Sequence, residues 1–312
     1  MRVSFRHADF DALASTWNHC APAEYRLSAS TLRRHTVESP LFDWGASLIW
    51  THDGHVQGFV AIKQSAASLY KGPDPDTAHI TAIACNDSRC AVDILAECKS
   101  VLRNRGVYRL AMGQDSGHLL AGCPTDWVKL ADLLTIEGFQ DQGEAIDLTH
   151  DLADYTPPCT VTADIQPITE ERIPLLREFL EREFPHRWRY DTMTKIEMEG
   201  RADFVYGLFL NGRCEGFAVT QDAGQEFLIG GAVFIEPFGA DWCTLGPIGI
   251  SQSIRGKGLG DQMLAGALLA LKAKGGRKCL IDWTTLDAWY GRHGFQPARR
   301  YRSMVLRLDD LP

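Results

Sequence analysis

The sequence predicts an α/β protein made of two similar halves, and three observations carry that prediction. Near the end of the chain a short apolar strand, Leu245-Gly-Pro-Ile-Gly-Ile250, runs through Ser251-Gln-Ser-Ile254 into a glycine-rich turn, Arg255-Gly-Lys-Gly-Leu-Gly260, and then a strongly patterned helix. Two short segments recur: Asp53-Gly-His-Val-Gln-Gly-Phe59 reads like Asn211-Gly-Arg-Cys-Glu-Gly-Phe217, and Glu137-Gly-Phe-Gln140 like His293-Gly-Phe-Gln296, at offsets of 158 and 156 residues. Nearly equal offsets are what a duplicated domain requires. Between the halves stands Asp154-Tyr-Thr-Pro-Pro-Cys-Thr160, where two prolines forbid regular pairing, so the predicted domains are 1–153 and 161–312 with a linker at 154–160.

The elements follow one plan in both halves. In the first, strands are expected at Val3–Phe5, Ser47–Thr51, Phe59–Lys63, His79–Cys85 and Val107–Met112, with two early helical stretches and a helix at Ala91–Asn104. In the second, a strand near Val161–Ile165 precedes helices near Glu170–Glu183 and Thr192–Glu199. Strands near Phe204–Leu210, Gly216–Gln221 and Phe227–Ile235 and the strand ending at Ile250 come next; the glycine-loop helix, a strand at Cys279–Trp283, a short helix and closing strands to Leu308 complete the half. Asp53-Gly and Asn211-Gly are hairpin turns, each followed by an apolar strand.

The glycine turn is built for an anion. A helix start leaves its first amides without internal partners and carries the positive end of the macrodipole. Gly256, Gly258 and Gly260 let the backbone come close, and Arg255 and Lys257 add positive charge. The helix places Leu259, Met263, Leu264, Ala267, Leu268 and Leu271 on one stripe for burial. A Walker loop would need Ser or Thr after Gly256-Lys257, where Gly258 stands, and a dinucleotide fingerprint would need its third glycine one residue later. A tight turn that binds nothing is the competing reading of the glycines.

Arg255-x-x-Gly258-x-Gly260, preceded five positions earlier by the apolar Ile250, resembles motif A of the GCN5-related N-acetyltransferases. Downstream, Tyr290-Gly-Arg-His-Gly294-Phe295 resembles the Tyr-x-x-x-Gly-Phe motif that closes that family's domain. The chain departs from the family at Thr284-Thr-Leu-Asp287, where many members carry an Asn after the fifth strand. The resemblance implies two tandem domains, each a mixed, mostly antiparallel sheet flanked by helices, an architecture shared with mycothiol synthase. It also implies acetyl-CoA as cofactor, held by Arg255, Gly256, Lys257, Gly258, Leu259 and Gly260 and by main-chain groups of Ile248 and Ile250.

The local charge agrees with a polyphosphate ligand. From Arg255 to Arg307 there are eleven Lys or Arg against three acidic residues, net +8, in a chain of net charge −8. A basic region on an acidic protein suits a small polyphosphate better than nucleic acid, which wants a broad basic face. A solvated basic face is the bland alternative.

Acyl transfer needs a base for the attacking ammonium, donors for the oxyanion and an acid for the leaving thiolate. The resemblance gives the acid's place to Tyr290. Among carboxylates, Asp282 ranks first and Asp241 second as base, with Glu236 and Glu226 behind them, and a water chain without a single base stays open. Acceptor recognition is expected from the segment Phe184-Pro-His-Arg-Trp-Arg-Tyr-Asp191, including Arg187 and Trp188, and from Trp283. The same segment also reads as a packed aromatic turn. The aromatic density near the acceptor end points to a small-molecule primary amine such as an amino sugar; a peptide or protein N-acetyltransferase and a silent acyl-CoA-binding module are the alternatives.

The first half lacks these devices. Where the loop should be it has Cys85-Asn-Asp-Ser-Arg-Cys90, with no glycine and a carboxylate at Asp87, and Leu133 or Leu134 stands for the tyrosine. It reads as a degenerate domain that does not bind acyl-CoA. With 45% apolar residues the chain has material for a substantial core; it shows no secretory leader and no membrane span. A cytoplasmic protein without membrane or nucleic-acid partners is expected, with monomer and homodimer both open. Nine cysteines without a Cys-x-x-Cys pair argue for reduced thiols and no metal site.

Overall fold

A computed structural model of the chain describes residues 1–64, 77–230 and 232–309. Among these, one unit combines the residues up to Ala145 with those from Arg300 onward, and the other runs from Ile146 to Arg299. The Pro157-Pro158 pair lies inside the second unit.

The first half supplies β1 (Arg2–Val3), α1 (Phe10–Cys20), α2 (Ala29–His35), β2 (Leu48–His52), β3 (His55–Gln64), β4 (Thr77–Cys85), α3 (Ser88–Asn104), β5 (Arg109–Met112), β6 (Cys123–Pro124), α4 (Val128–Ile136) and β7 (Gln140–Asp151). The second supplies β8 (Asp164–Pro167), α5 (Ile173–Glu183), α6 (Arg187–Glu199), β9 (Val205–Leu210), β10 (Arg213–Asp222), β11 (Trp242–Ile250), α7 (Leu259–Ala273), β12 (Lys278–Thr284), α8 (Asp287–Gly291) and β13 (Gln296–Arg307). No helix among the described residues is long and apolar enough to cross a membrane.

Strands of the first unit run in the order β1-β2-β3-β4-β5-β13, with β6 added to β13. Pairing is antiparallel except between β4 and β5. Those of the second run β7-β12-β11-β10-β9-β8, with β11 and β12 parallel. Each unit is thus the mixed, mostly antiparallel sheet expected. The sheet of each unit is completed by a strand from the other half of the sequence: Val305–Arg307 of β13 pairs with β5, and Ile146–Asp151 of β7 pairs with β12.

Alternation along β10 sends Phe217 and Val219 to one face of the second sheet and Ala218 to the other. On one side α5 and α6 bury Leu176, Phe179, Leu180 and Ile196. On the other, α7 buries Met263, Leu264, Ala267, Leu268 and Leu271, the stripe read from the sequence, with Leu259 at its edge. The hairpin turns also form as expected: Asp53-Gly54 has φ of 48° and 79°, and Asn211-Gly212 has 50° and 76°, the paired positive φ that a two-residue turn demands.

One expected strand is absent. Apart from residue 231, which lies outside the described residues, 227–235 is a loop followed by a short 3-10 turn at Glu236–Phe238. Side chains replace the strand ladder. The Gln221 amide donates to the Ile229 carbonyl (2.8 Å) and accepts from its N–H (2.7 Å), and Glu199 accepts from the Phe227 N–H (2.7 Å) while Lys195 donates to the Phe227 carbonyl. Helix α6 starts five residues earlier than expected, so Arg187 and Trp188 lie on its first turn.

The first unit holds a fully buried ion pair. Lys63 on β3 meets Asp115 at 2.8 Å, Thr81 donates to the same carboxylate at 2.7 Å, and Lys63 also donates to the carbonyls of Ser116 and Gly117. Burial would raise the Asp115 carboxyl, but Lys63 and His79 outweigh it and hold it at about 2. Removing one partner strands a buried charge, whereas removing both does not. Lys63→Met is therefore expected to lower stability by about 3–5 kcal/mol in urea titration, and Lys63→Met with Asp115→Leu to recover much of that loss.

Candidate active site

Helix α7 begins without a side-chain cap. Its N-cap residue is Gly258, which has φ of +75°, as does Gly256, and a Cβ at either position would meet nothing within 4 Å. The two glycines are required by conformation, and the space over the loop is open. Gly260 differs: it lies in the helix, and its added Cβ would make ordinary contacts with Ile250 and Trp289 at 3.7 and 3.8 Å. Arg255 and Lys257 are exposed beside the loop. Glu183, at the end of α5, fixes the approach by accepting from Ser251 (2.8 Å) and the Gln252 N–H (3.0 Å). Burial works to raise that carboxyl, but these hydrogen bonds and Arg182 leave it below its ordinary value.

The strand before the loop is open along one edge. β11 pairs with β12 only from Trp242–Lys278 to Thr244–Leu280. Beyond that point the antiparallel partner β10 shows a register shift, with Ala218 opposite Ile248 and Thr220 opposite Leu245, so Gly246-Pro247 carries an extra residue as a β-bulge. A second bulge lies on β12, where Ile281 faces Leu148 and Thr284 faces Ile146. Both diverging strands turn residues into a cavity of about 430 Å³ between them.

Of the residues singled out from the sequence, Arg187, Trp188, Ile248, Asp282, Trp283 and Tyr290 all line this cavity. Ile250 packs beside it in the core under α7. Asp241 does not reach it: the residue is exposed, and its carbonyl accepts from the Arg277 N–H. Glu226 and Glu236 are exposed on the 223–241 loop. Sequence reasoning gave no role to Gly230 or Thr284, which also line it, and included Asp191 in the expected acceptor segment without a role of its own. Asp191 had one available signal, its position four residues after Arg187 on a helix, the spacing of an ion pair.

Among the described residues, three charged side chains line the cavity: Arg187, Asp191 and Asp282. Arg187 is 3.4 Å from Asp191 and lies over the Trp283 ring, 4.2 Å from its centroid. The Asp282 carboxylate sits against the backbone, since Cβ atoms at Gly230 and Gly246 would fall 2.8 and 3.4 Å from it. Burial, and then the Asp282 charge, push the Tyr290 hydroxyl above its ordinary pKa, so it stays protonated at neutral pH.

Helix α8 is anchored to α7 through Asp261. Trp289 Nε1 (2.9 Å), Arg292 (3.0 Å) and His293 Nε2 (3.3 Å) converge on that carboxylate, and the Tyr155 hydroxyl meets His293 Nδ1 at 2.9 Å. The glycine of the closing motif has a double cause: Gly294 has φ of +91°, and a Cβ there would lie 2.7 Å from the His150 ring.

No protein-family model matches the sequence, and neither does any curated protein. Solved structures do match. A region of a fungal multi-domain GH3 β-N-acetylglucosaminidase, described as a GCN5-related glucosamine N-acetyltransferase, aligns over 98% of this chain with TM-score 0.85 and 19% identity; the match spans 38% of that longer chain. A GCN5-related N-acetyltransferase from Sphaerobacter thermophilus aligns over 99% of this chain and 95% of its own, with TM-score 0.71 and 13% identity. A tandem protein of this kind from the clavulanic acid biosynthesis pathway aligns over 97% and 94%, with TM-score 0.62 and 14% identity. The chain has the tandem GCN5-related N-acetyltransferase fold.

The two units of this tandem fold repeat its particulars. β4 has its own bulge at Thr81, because Ala61 faces Ala82 and Ile62 faces Ile80, and its pairing with β5 stops at Ile80–Met112. Gln114, two residues beyond the last β4–β5 pair at Met112, and Trp283, three beyond the last β11–β12 pair at Leu280, both have positive φ, 64° and 41°. The same opening is used differently. In the first unit Asp115 enters it to meet Thr81 and Lys63, and Asp87 caps α3 by accepting from the Cys90 N–H at 2.8 Å. The first unit thus spends on its own carboxylate a helix-start amide that the second leaves uncapped.

His293 supplies a pH test of the α7–α8 anchor. Burial lowers its pKa below 6.5, more than Asp261 raises it. The unfolded chain therefore takes up this proton first. The stability contributed by the neutral ring is complete above about 6.5 and is lost as pH falls through that value toward the folded pKa. Melting temperature is expected to fall between pH 7 and 5, and His293→Gln to flatten part of that slope in scanning calorimetry.

Proposed function

We propose that the second unit is an acetyl-CoA-dependent N-acetyltransferase that acts on the primary amine of an amino sugar. The observation that carries the reading is the convergence on one cavity of a protonated tyrosine, a carboxylate and an unpaired strand edge, next to a bare helix start. The residues fit acetyl-CoA. Gly256 and Gly258 leave the α7 amides open for a pyrophosphate, Arg255 and Lys257 supply charge, and the free edge of β11 offers main-chain groups to an amide-containing arm. The group itself supplies an activated acyl thioester.

The chain's own residues divide the work. Asp282, held in the cavity, accepts the proton that an ammonium must lose before it attacks. Main-chain N–H groups of the Ile248–Ile250 segment face developing negative charge on the carbonyl oxygen. Tyr290, kept protonated by burial and by Asp282, delivers its proton to the departing sulfur.

Cavity chemistry supports an amino sugar as acceptor. The volume of about 430 Å³ lies at the small end of ligand pockets and suits a monosaccharide better than a polypeptide segment. Trp188, Trp283 and Trp289 provide flat apolar faces, and Thr284 and Thr285 provide hydroxyl partners. With Arg187 held by Asp191, the described lining residues carry a net negative charge, which favours an ammonium over a phosphate. The glucosamine assignment of the fungal region supports the same class. The first unit, with its capped helix and filled opening, is proposed to have lost acyl-CoA binding.

Calorimetric titration of the full chain with acetyl-CoA tests the cofactor half of this reading. One site per chain is expected, abolished by Arg255→Ala with Gly258→Asp; unchanged affinity in that variant would overturn the assignment. Thiol-release assays test the rest. Tyr290→Phe is expected to reduce kcat by about ten- to a thousandfold with acetyl-CoA affinity intact. Glucosamine is expected to exceed glucosamine 6-phosphate by at least about tenfold in kcat/KM, and the reverse preference would contradict the charge argument.

A further inference from the structure

Asp147 is a buried carboxylate on β7 that lies opposite the bulge of β12. Its Oδ1 accepts from the Trp283 backbone N–H at 3.1 Å, and its Oδ2 lies 3.6 Å from Arg299, itself buried. Arg299 then donates to the Phe234 carbonyl at 2.6 Å. Three features meet here. Trp283 is held at φ of +41°, a conformation that a bulky side chain rarely adopts unless its surroundings impose it. Asp282 and Trp283 together face one residue, Asp147, and both line the acceptor cavity. The loop that carries Phe234 also supplies Ile229 and Gly230 to the cavity wall.

We propose that Asp147, backed by Arg299, is a positioning residue for acceptor recognition, because it holds the β12 bulge in the form that aims Asp282 and Trp283 into the cavity. The inference rests on the acetyltransferase reading for its kinetic consequence and on geometry alone for the placement of Trp283. The contacts of Asp147 run to the Trp283 backbone and to Arg299, on the Trp283 side of the cavity. Its loss is therefore felt at the acceptor end, where Trp283 carries the Arg187 guanidinium and Asp282 faces the amine. Asn at this position keeps an oxygen for the Trp283 N–H and loses only the charge pair.

The test compares Asp147→Ala and Asp147→Asn in the full chain, each with and without Trp283→Phe. Asp147→Ala is expected to raise KM for glucosamine by about tenfold or more, with acetyl-CoA affinity within about twofold of the parent. Asp147→Asn is expected to restore most of the loss, and Trp283→Phe, which keeps the backbone N–H and removes the indole, to diminish the difference between Asp and Ala. Parallel losses for acetyl-CoA and glucosamine, or an undiminished effect in the Trp283→Phe background, would overturn the proposal. A second readout needs no activity: acrylamide quenching of tryptophan fluorescence. If no amine is acetylated, the functional reading fails, and quenching alone decides the placement. An additional accessible indole in Asp147→Ala that is absent from Asp147→Asn and disappears with Trp283→Phe supports the role, and unchanged quenching in Asp147→Ala removes it.

Discussion

The early end of the β11–β12 pairing is the constraint on which the second unit depends. Parallel strands normally stay in register until a helix or loop takes one of them away, but here the ladder stops at Thr244–Leu280 while both chains continue. The bulge at Gly246-Pro247 bends β11 away, and the bulge opposite Asp147 bends β12. Such an opening exposes backbone groups that must find other partners. It is stable only because the strands remain paired on their outer sides, β11 with β10 and β12 with β7. The cavity, the free strand edge and the placement of Asp282 and Tyr290 all follow from that one interruption.

The first unit carries the same interruption and fills it with its own side chains. Its fourth strand carries the bulge, and the positive-φ Gln114 follows its fifth strand, so the opening was built by the same local rules. Lys63, Asp115 and Thr81 fill it. A buried ion pair is a costly filling, because two charges must leave water, and it holds only because Lys63 also finds the carbonyls of Ser116 and Gly117. Position 63 corresponds to Gln221, 158 residues later, by the offset of the hairpin repeat. In the second unit that side chain instead secures Ile229 at the edge of the cavity. A single equivalent position thus closes one opening and shapes the wall of the other.

What the sequence made legible was the part built from backbone. Glycines at φ of +75°, the paired positive φ of the hairpin turns and the stripe under α7 leave local patterns, since each demands particular residues at fixed spacing. The tyrosine motif was legible for the same reason, its glycine being pressed against His150. The strand expected at Phe227–Ile235 failed because apolar residues there are buried by a loop, and alternation cannot distinguish the two when side chains replace a ladder. Asp241 was chosen for its place just before β11, and closeness in sequence to a lining strand does not bring a side chain into the lining: it is exposed and absent from the cavity wall. The contribution of β7 to the second sheet was invisible, because the proline pair marks a break in pairing and says nothing about which sheet the preceding strand joins.

The contrast between the two ends of the site has a physical basis. The glycine loop is specified by conformations that few residues adopt, so substitution there costs strain whatever the neighbouring space. The cavity wall is specified by side chains drawn from distant elements: Gln221, Lys195 and Glu199 hold the loop after β10, and Asp147 and Arg299 join Trp283 to Phe234. Hydrogen bonds to charged groups contribute about 1.5–3 kcal/mol each, so a few such residues can fix the wall, and a few exchanges can re-aim it without disturbing the sheet. The glycine-loop end therefore keeps a recognisable sequence signature. The cavity end does not, and its chemistry has to be read from the charges and rings that the fold brings together.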